Sequence, residues 1–497
     1  MEKPILNLSS KHFLSGIASG AHSENGLFFR AEGITSLASP GSSESLDNGL
    51  LRGGLPSTDY TASVVVDSIT CGVKDYPGAT PYLYMMGDSG HFYKKALGSA
   101  NPTDLRSGTP ITSPSNGVSI FQPTGGTRYL YYWQQAQIGR WDLSGTYPTG
   151  WVDNQYTGLQ TTTMHPTHRF YNKIFYGNKD RIGSLIDNGA GGVTHTLNVL
   201  QFPSNYLVTS ISNDGIYVVI AITDNNQLTS GFADTRVIFW DGANTSSWIR
   251  EYHIDEPFIN SLTRVGNSVI AQGQRGLYDI SFGGVKKILS RFTGRGLTSG
   301  TDLVGPSIAG SYGQSGYIFA HDGNSGLFSN ISTIGKMSED SPNARMTPII
   351  SPDSNKTFTF IETQFESGKI YAATSTPKLY SFNFGDAGSA STSVSAQTVY
   401  IPLGEKYEIE RVDVIFGEPL TTGDSMSIQL KTDEDTPAYE VTPTELVSSY
   451  SSDGAIRRKQ MRVNKFIADE QLSIVVNFTA GAVKIKRIKV YGKPVVT

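Results

Sequence analysis

The stretch that decides the fold is Tyr129–Leu143, YLYYWQQAQIGRWDL: an aromatic run, a polar turn, then a second run opening on Ile138. Aromatic and β-branched residues on either side of a short polar turn specify two strands joined as a hairpin. The pattern recurs along the chain. It reads YLYMMGDSGHFYK from Tyr82 and IFYGNKDRIGSLI from Ile174. From Tyr217 it reads YVVIAI, with RVIFWDG from Arg236 as the partner strand after a longer insertion. Further copies are VIAQGQRGLYDI from Val269, YIFAHDGNSGLFS from Tyr317 and IYAATSTPKLYSF from Ile370. Successive copies start roughly 43 to 53 residues apart, a period that suits propeller blades with variable loops.

One such hairpin cannot bury both of its faces. Four-stranded units that close into a ring bury them against one another and remove most free sheet edges. Each hairpin is therefore expected to supply the two middle strands of a blade. The expected fold is all-β: a β-propeller of about seven blades with an N-terminal extended arm and a C-terminal antiparallel β-sandwich. Six or eight blades stay open at this level, because the fourth copy is stretched and the N-terminal region can complete a blade. Asp241-Gly242 and Asp322-Gly323 suit hairpin turns that need positive φ.

Residues 1–58 lack the hairpin pattern and are rich in Ser, Gly and Pro. They read as an extended arm ending in a strand that leads into the propeller, with GLFFRAEGI, from Gly26, as its clearest strand. The propeller is expected over 59–390. Small residues from Gly385 to Ser395, GDAGSASTSVS, mark a linker into a sandwich over 397–497. Strand candidates there are TVYIPL from Thr398, EIERVDVIFG from Glu408, SMSIQLKTD from Ser425, RKQMRVNKF from Arg458, LSIVVNF from Leu472 and VKIKRIKVYG from Val483. In the last, Val483, Ile485, Ile488 and Val490 form the apolar set and Lys484, Lys486 and Lys489 the polar one. A slip near Arg487 predicts a bulge.

Composition sets the bounds. A chain of 497 residues favours two domains. Charged residues are 17% and aromatics 11%, so a core can form. The formal net charge of −4 gives no global field that attracts nucleic acid or an anionic membrane. A single cysteine, Cys71, excludes a fold held by internal disulfides. The start, MEKPILNLSS, lacks the cationic and apolar regions of a secretory signal. No window approaches the roughly twenty apolar residues of a spanning helix, so no membrane span is expected. The sequons at Asn244 and Asn477 read as chance matches in a Ser/Thr-rich chain.

His165 and His168, in MHPTHRF, lack a third ligand nearby, so neither a metal nor a cofactor is expected. Asp88, Asp142, Asp180, Asp241 and Asp322 recur at comparable points of the repeat. Two carboxylates converging from different blades would suit glycoside hydrolysis. Recurrence in five copies points instead to a turn device, in which Asp bonds to its own backbone. SPDSNKTF, from Ser351, resembles the Asp-box turn of sialidase-type propellers, with Ser351, Asp353, Thr357 and Phe358 in place and Asn355 where glycine belongs. No nucleophile elbow, P-loop or dinucleotide fingerprint occurs, so no catalytic residue is assigned and no enzyme is expected. The basic residues Arg457, Arg458, Lys459, Arg462, Lys484, Lys486, Arg487 and Lys489 read as a solvated face, or as a surface for DNA or an acidic partner. Trp133, Trp141, Trp151 and Tyr147 either stack on sugars or pack between blades.

The arm segment GLFFRAEGITSLASPG, Gly26–Gly41, and the order arm, propeller, terminal β-domain resemble the nozzle or hub proteins at the end of short bacteriophage tails. Arg30, Gly33 and Ile34 match the stretch leading into those propellers, while Glu32 stands where a proline often precedes the glycine. The resemblance implies a structural virion protein of the tail, made in the host cytoplasm. It further implies contact with other copies of itself and with neighbouring tail proteins around the DNA exit channel. The rival reading is a carbohydrate-binding or glycan-cleaving propeller, such as a receptor-binding tail protein or depolymerase, whose partner is a host-surface glycan. A cellular scaffold of WD40 or kelch type fits least. Trp-Asp occurs in only two repeats, at Trp141-Asp142 and Trp240-Asp241, and the kelch double glycine is missing.

Overall fold

The computed structural model describes residues 3–9, 28–32, 34–35, 51–53, 57–60, 65–78, 80–97, 101–224, 234–273, 276–290, 309–312, 316–321, 333–338, 345–350, 358–364, 369–374, 377–383, 394–420, 424–432, 439–441, 457–480 and 483–495. Among them every regular element is a β-strand.

Seven four-stranded antiparallel sheets are built from the described residues. In six of them the second and third strands are the hairpin expected from the repeat. The first three pairs are Tyr82–Gly87 with Phe92–Ala96, Tyr129–Gln134 with Gln137–Trp141, and Lys173–Asn178 with Arg181–Asp187. Next come Val218–Asp224 with Thr235–Trp240, and Ser268–Gly273 with Gly276–Ser281. The last are Gly316–His321 with Thr333–Ser338, and Lys369–Thr374 with Leu379–Asn383. The sixth differs from expectation: its third strand is Thr333–Ser338 rather than the GLFS stretch, and Asp322-Gly323 lies outside the described residues.

The first strands of the sheets neighbour one another in chain order. Ile69–Asp75 lies against Pro114–Phe121, followed by Thr167–Phe170, Tyr206–Asn213, Ile259–Val265, Ala309–Tyr312 and Phe358–Gln364. The last returns to Ile69–Asp75. The seventh sheet takes its fourth strand from near the N-terminus, where Ser57–Tyr60 pairs with Leu379–Asn383. Joining the two ends of the run in one sheet leaves no open edge between them.

Packing explains why the repeat strands are apolar throughout instead of alternating. In Tyr129–Gln134, Leu130 and Tyr132 enter the core shared with the first sheet, beside Tyr84 and Phe92. Tyr131 and Trp133 enter the core shared with the third, beside Ile174 and Tyr176. A strand buried on both faces needs apolar residues at successive positions. The same division recurs in the fourth sheet, where Ile220 packs with Phe175 on one side and Val219 with Val269 on the other.

Two six-stranded sheets hold the rest of the described chain. One runs Ile34–Thr35, Leu51–Gly53, Lys484–Pro494, Tyr407–Phe416, Arg458–Ala468, with Leu6–Ser9 also paired to Lys484–Pro494. The other runs Phe28–Glu32, Val394–Thr398, Gln471–Ala480, Ser425–Lys431, Tyr439–Val441, with Ile401–Pro402 also paired to Gln471–Ala480. They share one apolar core that includes Val412, Val414, Ile488 and Val490 from the first and Ile428, Leu430, Ile474 and Val476 from the second.

The segment read as an arm contributes strands to these sheets. Leu6–Ser9, Phe28–Glu32, Ile34–Thr35 and Leu51–Gly53 are all hydrogen-bonded into these two sheets. The arm's last described strand, Ser57–Tyr60, enters the seventh sheet, whereas the GLFFRAEGI strand pairs with Val394–Thr398. Strands that would otherwise be edges gain partners in this way. Val394–Thr398 also begins inside the segment read as a linker. The bulge near Arg487 is present: Ile415 pairs with Arg487 and Phe416 with Ile485, leaving Lys486 extra. Lys484, expected to face outward, is buried and ion-paired with Glu418 at 2.9 Å.

Candidate functional site

The repeated aspartates do not converge on one end of the sheets. Asp88 and Asp180 lie in turns between second and third strands, whereas Asp142 and Asp241 follow third strands, at the opposite end. Each has local work. Asp142 Oδ1 accepts from the Ser144 backbone N–H at 3.0 Å, and Asp241 Oδ1 from Ala243 and Asn244 N–H at 2.9 and 2.8 Å. Asp88 Oδ1 accepts from Ser89 Oγ at 3.3 Å, and Asp180 Oδ1 from Gln160 Nε2 at 2.8 Å. Asp142 and Asp241 thus make the backbone turn bonds expected of the repeat, whereas the bonds of Asp88 and Asp180 go to side chains. Asp322 and the stretch Ser351–Thr357 of the Asp-box likeness lie outside the described residues.

The aromatic candidates pack between sheets. Trp133 and Trp141 are fully buried, and the Trp141 and Trp151 rings stack at 4.9 Å. Tyr147 lies over the Arg106 guanidinium at 4.0 Å. His165 is also fully buried, its ring nitrogens facing the carbonyl oxygens of Gly177 at 2.7 Å and Gln135 at 3.2 Å. His168 Nε2 meets Asn213 Nδ2 at 2.6 Å. No group of three metal-ligating side chains occurs among the described residues. Cys71 is buried, and burial pushes its thiol up to about 12, so it is not a thiolate at neutral pH.

Sequence reading missed a set of buried carboxylate–tyrosine ties. Tyr93 donates to Asp67 Oδ1 at 2.7 Å, and Tyr278 donates to Glu256 Oε1 at 2.8 Å. Burial raises the Asp67 carboxyl despite the Tyr93 hydrogen bond. Both carboxylates sit against the glycine that ends a second strand. A Cβ at Gly87 would lie 2.0 Å from Asp67 Oδ2, and one at Gly273 would lie 2.5 Å from Glu256 Cδ. The legible signal is a glycine ending the second strand with a tyrosine in the third.

The feature with an exposed chemical character is the outer face of the sheet around Tyr407–Phe416. Its register sets Arg411 opposite Arg462 and Tyr491, Asp413 opposite Gln460 and Lys489, and Ile415 opposite Arg458 and Arg487. Directly opposed residues share a face. Val412 and Val414 enter the core, so this set faces away from it. Asp413 is fully buried within the set. Arg458 Nη2 reaches its Oδ2 at 2.5 Å and Arg411 Nε its Oδ1 at 3.1 Å. Arg411 also lies over the Tyr491 ring at 4.0 Å. One carboxylate thus anchors two guanidinium groups. Arg462, Arg487 and Lys489 have no ion-pair partner among the described residues. Of the basic residues singled out in the sequence, four fall on this face: Arg458, Arg462, Arg487 and Lys489. Lys459 is opposite Val414 and half-buried, and Lys486 is exposed at the bulge. Arg411 is the member that sequence reading missed.

No protein-family model matches the chain, and no curated protein does. Solved structures similar to it include BBS1N in complex with ARL6DN, with 10% identity, 64% of this chain, 92% of that one and a TM-score of 0.41. Raptor of Chaetomium thermophilum is similar at 9% identity over 64% of this chain and 28% of its own, with a TM-score of 0.44. The Pan2 WD40 domain of Neurospora crassa is similar at 9% identity over 65% of this chain and 92% of its own, with a TM-score of 0.43.

Proposed function

We propose that the protein is a structural component of a bacteriophage tail, of the nozzle or hub kind, and not an enzyme. The seven four-stranded sheets are read as a seven-bladed β-propeller over 59–390, closed by the Ser57–Tyr60 strand. The two six-stranded sheets are read as a β-sandwich over 397–497, with strands of the arm, 1–58, laid into it. Arm, propeller and terminal β-domain then follow the order of the tail proteins that Gly26–Gly41 resembles.

The observation that carries this reading is the fate of the arm. Its strands pair with Val394–Thr398 and Lys484–Pro494, and Ser57–Tyr60 pairs into the seventh sheet. The N-terminal segment therefore ties the terminal sheets to the run of four-stranded ones, a construction suited to a part that carries load within an assembly. Several copies, meeting one another and neighbouring tail proteins around a DNA passage, complete the proposal. An antibody raised against the purified chain tests it by electron microscopy of particles from the source phage. Label at the tail supports the reading, and particles that lack the protein altogether overturn it.

A further inference from the structure

We infer that the outer face of the sheet around Tyr407–Phe416 docks the phosphodiester backbone of nucleic acid. The inference goes beyond the tail assignment and stands or falls separately from it. Four arginines and one lysine, Arg411, Arg458, Arg462, Arg487 and Lys489, occupy the face, with Asp413 the carboxylate placed among them. Arg458 and Arg411 are held by Asp413, which is fully buried, so that carboxylate orients cations while presenting no anionic surface of its own. Arg462, Arg487 and Lys489 remain without an ion-pair partner among the described residues.

Spacing and chemistry favour a phosphate chain. Alternate residues of a strand repeat at about 6.8 Å and adjacent strands lie about 4.8 Å apart. Arg487 and Lys489 are alternate residues of one strand, and Arg458 and Arg462 flank Gln460 on another, so the cations form two rows with Tyr407–Phe416 between them. A guanidinium is a rigid fork matched to phosphate oxygens. Contacts of this kind read the backbone rather than base edges. The chain as a whole carries −4, so no global field assists, and binding through this local face must be strongly salt-dependent.

The test uses the full chain and a fluorescent duplex oligonucleotide, with anisotropy titrations between 50 and 200 mM salt. The face variant is Arg462→Gln, Arg487→Gln, Lys489→Gln. The control, Lys173→Gln, Lys179→Gln, Arg250→Gln, loses the same charge from the four-stranded sheets. Each neutralised phosphate contact contributes about 0.9 to the salt slope, so three lost contacts lower it by about 2.7, equal to about 40-fold in affinity across that range. The face variant should bind more weakly at 50 mM salt and show that shallower slope, with unchanged thermal unfolding, while the control keeps wild-type binding and slope. No salt-dependent binding by the wild-type chain overturns the inference, as does equal weakening in both variants. Salt-sensitive self-association that the face variant abolishes, with no duplex binding, would assign the face to an acidic surface of a second copy and overturn it as well.

Discussion

Arg106 grips Asp153 with both arms of its guanidinium, Nη1 to Oδ1 at 2.6 Å and Nη2 to Oδ2 at 3.0 Å. The arginine follows Thr103–Asp104, the fourth strand of the first sheet, and the aspartate lies in Trp151–Thr157, the fourth strand of the second. The pair therefore ties neighbouring sheets at their outer edges. Tyr147 and Trp151 flank the guanidinium at 4.0 and 5.0 Å. Arg106→Leu should cost about 3 kcal/mol, the low end for breaking a buried ion pair, because removing one partner strands the other charge. The low end applies because the Asp153 side chain is 36% exposed. A urea midpoint that falls with an unchanged slope would register it, and a loss below about 0.5 kcal/mol, the scale of a surface pair, would contradict the clamp.

Acid should unfold the protein partly through Asp234. Hydrogen bonds from Arg236 are the main reason that its carboxyl is held down to about 2, against about 3.9 in an unfolded chain. A depressed folded value contributes stability that is complete above about pH 4 and disappears as the pH falls toward 2. Asp234→Asn should be less stable than the parent at neutral pH, and its stability should fall less steeply across that window. Parallel acid titrations of the two proteins would contradict the assignment.

His165 acts in a second, higher window. Burial is the main cause that holds its imidazole below the ordinary value of 6.5. The native site takes the neutral ring, so stability should decline as the pH falls below about 6.5, where the unfolded chain binds the proton first. His165→Gln removes the proton and should flatten this limb while lowering stability overall. Chemical denaturation at a series of pH values between 7 and 5 checks it, and an unchanged limb would count against it.

Much of the fold was legible because the hairpins are locally specified. Tyr132 opposes Gly139, and Tyr176 opposes Gly183, across the second and third strands of their sheets. The tyrosine-to-glycine spacing within YYWQQAQIG and YGNKDRIG is visible in the sequence. Other elements were not local. Phe28–Glu32 finds Val394–Thr398 hundreds of residues away, and no periodicity within GLFFRAEGI names that partner. The cationic face was half-legible: Arg458, Arg462, Arg487 and Lys489 stood out as a basic run, but Arg411 and the role of Asp413 depend on register. The tryptophans were ambiguous, because an aromatic that packs between sheets and one that binds a sugar look alike until the neighbouring sheet is placed.

The glycine pairing itself is testable. A Cβ at Gly139 would lie 2.1 Å from Tyr132 Cζ, so Gly139→Ala must displace the ring and should destabilise by about 1–3 kcal/mol. Combining it with Tyr132→Leu removes the clash, and the double variant should lose less than the sum of the two single ones. Strict additivity in a thermal-melt cycle would contradict the ring-over-glycine packing.

We propose that copies of this chain assemble with one another at a phage tail. Native mass measurement of the purified chain, with negative-stain imaging of the same sample, tests it most directly. A closed ring of several copies is the expected result. A chain that remains a monomer under all conditions tried, with no ring in the images, would contradict it.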